Sequence, residues 1–146
     1  MRIDHDALVL VADGRKMLML RNEGDAEYPN LQVEKVDEID NPPTREQATH
    51  AAGQASSPMG QRQHSVEQTD FHQIEEDRFA VDTAIMLQKR ALANEFEKII
   101  IVAPPQTLGE MRKHYHGTVQ ERLVGEIAKD LVSHPVSEIE QIVKSA

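Results

Sequence analysis

The chain has 146 residues, the length of a single domain with a substantial core, and 39% of them are hydrophobic. The absence of cysteine from the sequence excludes a disulfide framework, a thiol nucleophile and a cysteine-based zinc site. The formal net charge of -9 argues against strong autonomous binding to nucleic acid, because a protein that grips a phosphate backbone needs clustered Lys and Arg.

Three strands are predicted at the start of the chain. Residues 7–12 are a continuous apolar run with the length of a strand that is buried on both faces. Asp13-Gly14 then provides hairpin turn chemistry, because both residue types tolerate positive φ, and residues 16–20 form the second strand. Residues 31–39 predict a third strand, in which a shift of the alternation at Lys35 indicates a β-bulge.

A polar insert covers residues 40–70, between the third strand and the first long helix. Its length and composition predict a long mobile loop, which is either functional or disordered. It contains the tripeptides Ala52-Gly53-Gln54 and Met59-Gly60-Gln61. A loop tip of this composition can bring backbone groups and a carboxamide close to a reactive group of a partner.

The first long helix is predicted from about Gln73 to Lys98. Large apolar residues recur there at three- and four-residue multiples and give the helix one apolar face. These residues are Val81, Ile85, Leu92 and Phe96, with Ala84 and Ala91 beside them on the same face.

The second half of the chain predicts a strand, a helix, an ambiguous segment and a last helix. Residues 99–103 are a fully buried strand, and Pro104-Pro105 closes it and begins a helix, where proline fits the first turn. Residues 123–127 fit either a helix or a strand by their periodicity. In the last helix, Ser137 and Glu140 have the separation of a capping box.

The order of these elements predicts a single α/β domain over residues 1–146, with a mixed sheet of about five strands, helices on both faces and a flexible insert at 40–70. One hairpin strand, 16–20 or 31–39, would form a sheet edge open to pairing, which leaves a homodimer open. No apolar run reaches the length of a membrane span, and the N-terminus lacks a signal-peptide layout. We therefore expect a cytoplasmic protein without membrane contact.

Metal-dependent chemistry has two candidate sources in the sequence. The seven histidines show no spacing typical of a zinc site, so we predict surface histidines, no metal and no cofactor. A nuclease needs converging carboxylates, for which the candidates are Asp13 and three acids of the long helix. These acids are Glu76, Asp77 and Asp82. The hairpin turn already explains Asp13, and acids are favoured in the first turn of a helix.

Three ordered groups of motifs carry a resemblance to a known family. They are Val-Leu-Val-Ala-Asp-Gly at 9–14, Ile-Val-Ala-Pro-Pro at 101–105 with Leu-Gly-Glu-Met-Arg at 108–112, and Glu-Ile-Ala-Lys-Asp-Leu at 126–131 before His134-Pro135. With them the chain resembles the bacterial host attachment proteins, whose members are similar to the middle domain of archaeo-eukaryotic class-one peptide-chain release factors. The resemblance covers essentially the whole chain and implies a ribonuclease-H-like topology, with a strand at 123–127.

The resemblance also implies a candidate catalytic loop. In the release factors this domain carries a Gly-Gly-Gln loop between the third strand and the long helix, which helps water to attack the peptidyl-tRNA ester. Here that interval holds Ala52-Gly53-Gln54, one glycine short, so Gly53 and Gln54 are the catalytic candidates. Alanine resists backbone conformations that glycine adopts. The nearby basic residues, and so the candidate binding residues, are Arg45, Arg62 and His64.

Three functions of different classes follow from these patterns. The favoured one is a non-enzymatic binding or adaptor domain of the host attachment family, because the charge is acidic, the loop motif is incomplete and no catalytic groups converge. The alternative is a ribosome rescue factor that promotes peptidyl-tRNA hydrolysis through Gly53-Gln54, and the third is a metal-dependent nuclease around Asp13. The adaptor would be cytoplasmic with a protein partner of unknown identity, and association with the ribosome or with translation is open to it. The rescue factor would act on the ribosome.

Overall fold

The computed structural model describes residues 1–39 and 58–146, and for 58–70 it describes the backbone alone. These residues contain five strands and four helices. In chain order they are β1 (Leu8–Ala12), β2 (Lys16–Asn22), β3 (Leu31–Glu38), α1 (Pro58–Leu92), β4 (Ile99–Ala103), α2 (Pro105–Arg112), α3 (Gly117–Arg122), β5 (Leu123–Ala128) and α4 (Val136–Ser145). Among the described residues, no helix combines the length and the apolar character of a membrane span.

The five strands form one sheet in the order β3-β2-β1-β4-β5. β2 is antiparallel to β1 and to β3, whereas β1, β4 and β5 run parallel. The structure therefore confirms a mixed α/β sheet, and nothing in its order conflicts with a ribonuclease-H-like topology. The ambiguous segment at 123–127 belongs to a strand, β5, which the short helix α3 precedes.

Helices cover both faces of the sheet, as predicted. Every residue of β1 and of β4 is buried, because successive side chains of a strand point to opposite faces and both faces are covered. One face packs against α1, α2 and α3 through Phe79, Leu108 and Val119. The other face packs against α4 through Ile139 and Val143. The sheet is thus the middle layer of three.

The helix α1 begins at Pro58, well before the predicted start near Gln73. Part of the predicted loop, residues 58–70, therefore has helical backbone, and residues 40–57 lie outside the described chain. The early turns are rich in Gln, Arg and Glu, which are good helix formers. They carry no apolar period, so periodicity alone could not assign them to a helix.

The other end of α1 also differs from the prediction, because the helix ends at Leu92. The next residue but one, Asn94, has a left-handed backbone with φ of 56°. Its N–H donates to the carbonyl of Ala91, and the N–H of Glu95 donates to that of Arg90, which is the pattern of a Schellman cap. Asparagine tolerates this conformation better than most residues with a side chain, so it stops the helix here.

The apolar face predicted for α1 packs against the sheet only in part, through Ala84 and Ala91, which are buried. The predicted residues Ile85 and Leu92 are 43% and 57% exposed, and Phe96 is buried but lies beyond the end of the helix. The small alanines of the inner face let the helix approach the sheet closely, which favours this face in a close-packed core. The inner face consists of Phe79, Ala80, Ala84, Leu87 and Ala91.

β3 is an edge strand, whereas the other predicted edge candidate, β2, lies inside the sheet. The register between β2 and β3 shifts so that Glu34 is the extra residue of a β-bulge, next to the predicted position at Lys35. On the strand, Val33 and Val36 are 50% and 53% exposed. An edge with a bulge and charged side chains pairs poorly with another strand.

The last helix begins without the predicted capping box. Its N-cap is Pro135, and no side chain caps the helix there. Oε1 of Glu140 accepts a hydrogen bond of 3.0 Å from the N–H of Leu31. This carboxylate therefore joins α4 to the first residue of β3 instead of acting with Ser137.

A buried carboxamide joins the N-terminal segment to the β2–β3 connection. The side chain belongs to Asn22, which is 0% exposed. Its Nδ2 group donates to three backbone carbonyls and its Oδ1 accepts from two backbone N–H groups, over distances of 2.8–3.2 Å. These backbone groups belong to Ile3, Asp4, Gly24, Asp25 and Asn30. Asn22 thus supplies hydrogen bonds that the irregular loop lacks.

We expect Asn22→Ala to lower the free energy of unfolding by about 3 kcal/mol or more, because it leaves several buried backbone groups without partners. Urea unfolding followed by circular dichroism measures the change. The control is Asn30→Ala, which removes an exposed side chain bonded to Gln32 and should change the same free energy by less than about 0.5 kcal/mol. Equal losses in the two variants would contradict this role of Asn22.

A network of ion pairs joins the β-bulge to α1. Oε1 of Glu34 lies 2.8 Å from Nε of Arg21, and its Oε2 lies 2.6 Å from Nη2 of Arg90. Arg90 also contacts Glu95 at 3.2 Å. The hydrogen bond from Arg21, with that from Arg90, holds the pKa of Glu34 below its ordinary value of 4.5, against the opposing effect of burial.

We expect Glu34→Gln to lower the free energy of unfolding at neutral pH by about 1 kcal/mol, since the pair is still partly exposed. The pKa of Glu34 is lower in the folded state, so its contribution is present above pH 4.5 and is lost as the pH falls through the folded pKa. Urea unfolding of both proteins should therefore show a difference that shrinks in acid.

The matched control is Glu38→Gln on the same strand, since Glu38 has no ion pair among the described side chains. This variant should leave both the neutral stability and its pH dependence unchanged. A difference between wild type and Glu34→Gln that persisted unchanged in acid would show that the carboxylate charge is not the stabilising feature.

Candidate functional site

Most residues that the resemblance singles out lie outside the described structure. Arg45, Gly53 and Gln54 belong to residues 40–57, which the structure does not describe. Arg62 and His64 lie near the start of α1, where only the backbone is described. The catalytic and binding roles of these five residues therefore stay predictions.

A cleft of about 200 Å³ lies at the carboxyl ends of β1 and β4, the edge where open α/β sheets bind ligands. The turn between β1 and β2 touches α1 there, because a Cβ on Gly14 would lie 2.8 Å from the carboxyl carbon of Glu76. No described glycine has a positive φ, so the predicted reason for this glycine is wrong. The other lining side chains include Gln73, Asp77, Gln106 and Glu110.

Of the four carboxylates proposed for a nuclease, only those of Glu76 and Asp77 line this cleft. Oδ1 of Asp13 accepts hydrogen bonds from the N–H groups of Arg15 and Lys16, both at 2.7 Å, so it closes the hairpin turn. Asp82 lines a different groove, beside β3. Among the described side chains, no three His, Cys, Asp or Glu residues converge as metal ligands would. The described part of the chain therefore offers the nuclease hypothesis no site.

A second cleft, of about 450 Å³, lies at the amino ends of β1 and β4. Hydrogen bonds from Lys98 and then from Arg2 hold the pKa of Asp4 below its ordinary value of 3.8. Arg21 extends along the same cleft and donates to the carbonyl of Asp6 at 3.0 Å. Charges that pair with one another in this way are typical of a structural cluster.

Among the described side chains, one further group has a shifted pKa, and it lies after the end of α2. Burial raises the pKa of Tyr115, and the carboxylate of Glu126 acts in the same direction. Arg112 lies 3.0 Å from that carboxylate and opposes the shift. A phenol held neutral beside a paired carboxylate has no base to activate it, so this cluster too is structural.

The outer side of α1 carries a second apolar row, which we call the outer row. Its seven positions are separated alternately by three and four residues, which is the a and d spacing of a coiled coil. Its apolar members Phe71, Ile74, Ile85 and Leu92 are 37%, 57%, 43% and 57% exposed. The full row is Phe71, Ile74, Arg78, Val81, Ile85, Gln88 and Leu92.

Charged side chains flank the outer row without forming ion pairs. Among the described side chains, Glu75, Asp82 and Lys89 have no salt-bridge partner, unlike Arg90 on the inner flank. One carboxylate oxygen of Glu75 is buried without a hydrogen bond, which leaves a polar group unsatisfied. A groove of about 580 Å³ follows this flank, between α1 and β3.

The outer row is therefore the best candidate for a functional surface in the described chain. It can bind an amphipathic helix, because apolar residues at coiled-coil spacing accept the apolar residues of a facing helix. The sequence contains the signal for it, since Ile85 and Leu92 were part of the predicted apolar face. What the sequence did not reveal is that a second face, led by Phe79 and Leu87, is the buried one.

Comparison with known proteins gives the family of the chain. Residues 6–143 match the family model described as bacterial archaeo-eukaryotic release factor family 12. Over 77 residues the chain is 34% identical to RP470, an uncharacterised protein of Rickettsia prowazekii (strain Madrid E), and the match spans about half of each chain, 51%. The predicted resemblance to release factors is confirmed, while the host attachment label stays a prediction. The chain belongs to bacterial archaeo-eukaryotic release factor family 12.

Proposed function

We propose that this protein is a non-enzymatic binding domain that acts as an adaptor in translation and engages a protein partner through the outer row of α1. The observation that carries the proposal is the exposure of Phe71, Ile74, Ile85 and Leu92 along one side of the longest helix. Large apolar side chains exposed along one side of a helix are typical of sites of protein–protein contact. Membership of a release-factor family supports translation as the setting.

The charge of the chain determines what kind of partner fits. With a net charge of -9, direct contact with ribosomal RNA is disfavoured, so the proposed contact is to protein. The outer row offers apolar side chains every three or four residues, which a partner helix with the same spacing can bury. The flanking Glu75, Asp82 and Lys89 favour a partner helix that carries both signs of charge.

A second candidate function is supported by the family alone. A ribosome rescue factor would use Gly53-Gln54 to position a water molecule or the ester of peptidyl-tRNA, as the resemblance to release factors with a Gly-Gly-Gln loop implies. Ala52 occupies the place of the first glycine in this chain. An alanine limits both the backbone conformations at that position and the approach to the ester.

We expect wild-type protein to co-sediment with bacterial ribosomes, and Ile85→Glu to reduce the bound fraction about tenfold or more, because a charge would be buried in the apolar contact. The matched control is Val124→Glu. Val124 is 45% exposed, close to the 43% of Ile85, but it lies on β5 at the far edge of the sheet. The control should bind as wild type does. Absence of wild-type binding at low salt would contradict an adaptor role on the ribosome.

We expect neither wild type nor Gln54→Ala to release peptide from stalled ribosomes above the buffer rate, because the loop motif is incomplete. Release of labelled peptide from purified peptidyl-tRNA complexes measures this. Release by wild type that Gln54→Ala abolishes would replace the adaptor proposal by the rescue-factor candidate. Release that persists in Gln54→Ala would also contradict the non-enzymatic proposal, but would assign the chemistry elsewhere.

A further inference from the structure

We propose that the outer row of α1 pairs with the outer row of a second copy of this chain, in an antiparallel arrangement around a two-fold axis that passes midway between Val81 and Ile85 on the outer side of the helix. The inference uses the same surface as the proposed adaptor role but needs no ribosome. It can therefore be tested on the purified chain alone, and either proposal can fail without the other. Self-association would cover the surface whenever no other partner is bound.

The order of side chains along the row favours this arrangement. With the axis midway between Val81 and Ile85, Ile74 faces Leu92 of the second copy, and Val81 faces its Ile85. The two polar members of the row then meet each other, Arg78 against Gln88 of the second copy. Polar residues at core positions of a coiled coil specify register in this way.

The neighbouring antiparallel register is worse. Moving the axis by one half-heptad places Arg78 against Val81 of the second copy and Phe71 against its Gln88. Each of these two pairs buries a polar side chain against an apolar one. This costs free energy, because the polar group has no hydrogen-bond partner there. The register that aligns Val81 with Ile85 of the second copy is therefore the one that the sequence of the row supports.

Charges along the flank favour antiparallel over parallel pairing. In the antiparallel arrangement Glu75 lies beside Lys89 of the second copy, and the two-fold axis repeats this pair. Neither side chain has a salt-bridge partner within its own described chain. A parallel pair would instead place Arg78 against Arg78. The antiparallel form has a single like-charge contact, between the two copies of Asp82 at the axis.

The sheet edge is the competing surface for self-association, and the structure disfavours it. β3 carries a bulge at Glu34, and the strand around it is rich in charge, with Lys35, Asp37 and Glu38. Bulges and charges on edge strands prevent strand pairing between molecules. A homodimer therefore uses α1 and not the strand that the sequence suggested.

The size of the surface sets the expected strength of the dimer. The described row spans about 32 Å of helix, at about 1.5 Å per residue, and a helix contact is roughly 10 Å wide. This footprint is well below the surface of about 800 Å² per partner that stable complexes bury. We therefore expect a weak dimer, with a dissociation constant in the micromolar range.

Sedimentation velocity over a concentration series that spans the micromolar range tests the proposal. Wild type should shift from monomer to dimer with concentration, and Ile85→Glu should remain monomeric at every concentration. Val124→Glu, with the same added charge on an equally exposed residue, should dimerise as wild type does. Asp82→Asn should dimerise more tightly, because it removes the one like-charge contact. Circular dichroism and thermal melting verify that each variant is folded.

Cross-linking determines the orientation, because the chain has no cysteine of its own. A mixture of Ile74→Cys and Leu92→Cys proteins should form a disulfide between the two variants under mild oxidation, since antiparallel pairing brings these positions together. Leu92→Cys alone should form none. A disulfide between two Leu92→Cys chains would indicate a parallel pair and contradict the antiparallel arrangement. The proposal would be overturned if wild type stayed monomeric at every concentration, or if Ile85→Glu dimerised as well as wild type.

Discussion

The rotation of α1 about its own axis is the constraint on which the rest of the structure depends. Its inner face, with Phe79 and Leu87, packs on the central strands β1 and β4, and burial of apolar area is the main favourable term in folding. Positions half a turn away then have to face solvent. The same rotation directs Arg90 to Glu34 of the β-bulge and Glu76 to the turn at Gly14. The packing of this one helix therefore determines the ion pair with the edge strand, the contact at the Gly14 cleft and the exposure of the outer row.

The exposed row links the two proposals through competition. A helix that presents Ile74, Ile85 and Leu92 to solvent can bury them against a partner protein or against a second copy, but not against both at once. A weak dimer of the kind proposed would bury the outer row at high protein concentration. A partner of higher affinity would displace the second copy.

The strands were the most predictable part of the fold. β1 and β4 are short continuous apolar runs because both of their faces are covered, and the bulge in β3 was visible as a broken alternation near Lys35. The bounds of α1 were not predictable from periodicity, because its first turns have no apolar period and its end depends on the left-handed backbone of Asn94. The five hydrogen bonds of Asn22 were also not predictable from the sequence, because they join backbone groups from separate loops.

By itself the sequence determined the α/β class, the mixed sheet and the resemblance to release factors. Each of these depends on local runs and motifs that can be identified without the tertiary structure. It also contained both apolar rows of α1. Only the tertiary structure decided that the row with Ala80, Ala84 and Ala91 is buried and the row with Ile85 and Leu92 is exposed. The physical reason is that small side chains allow a close approach of helix and sheet, so the fit between surfaces, and not the hydrophobicity of the residues, selects the face that packs.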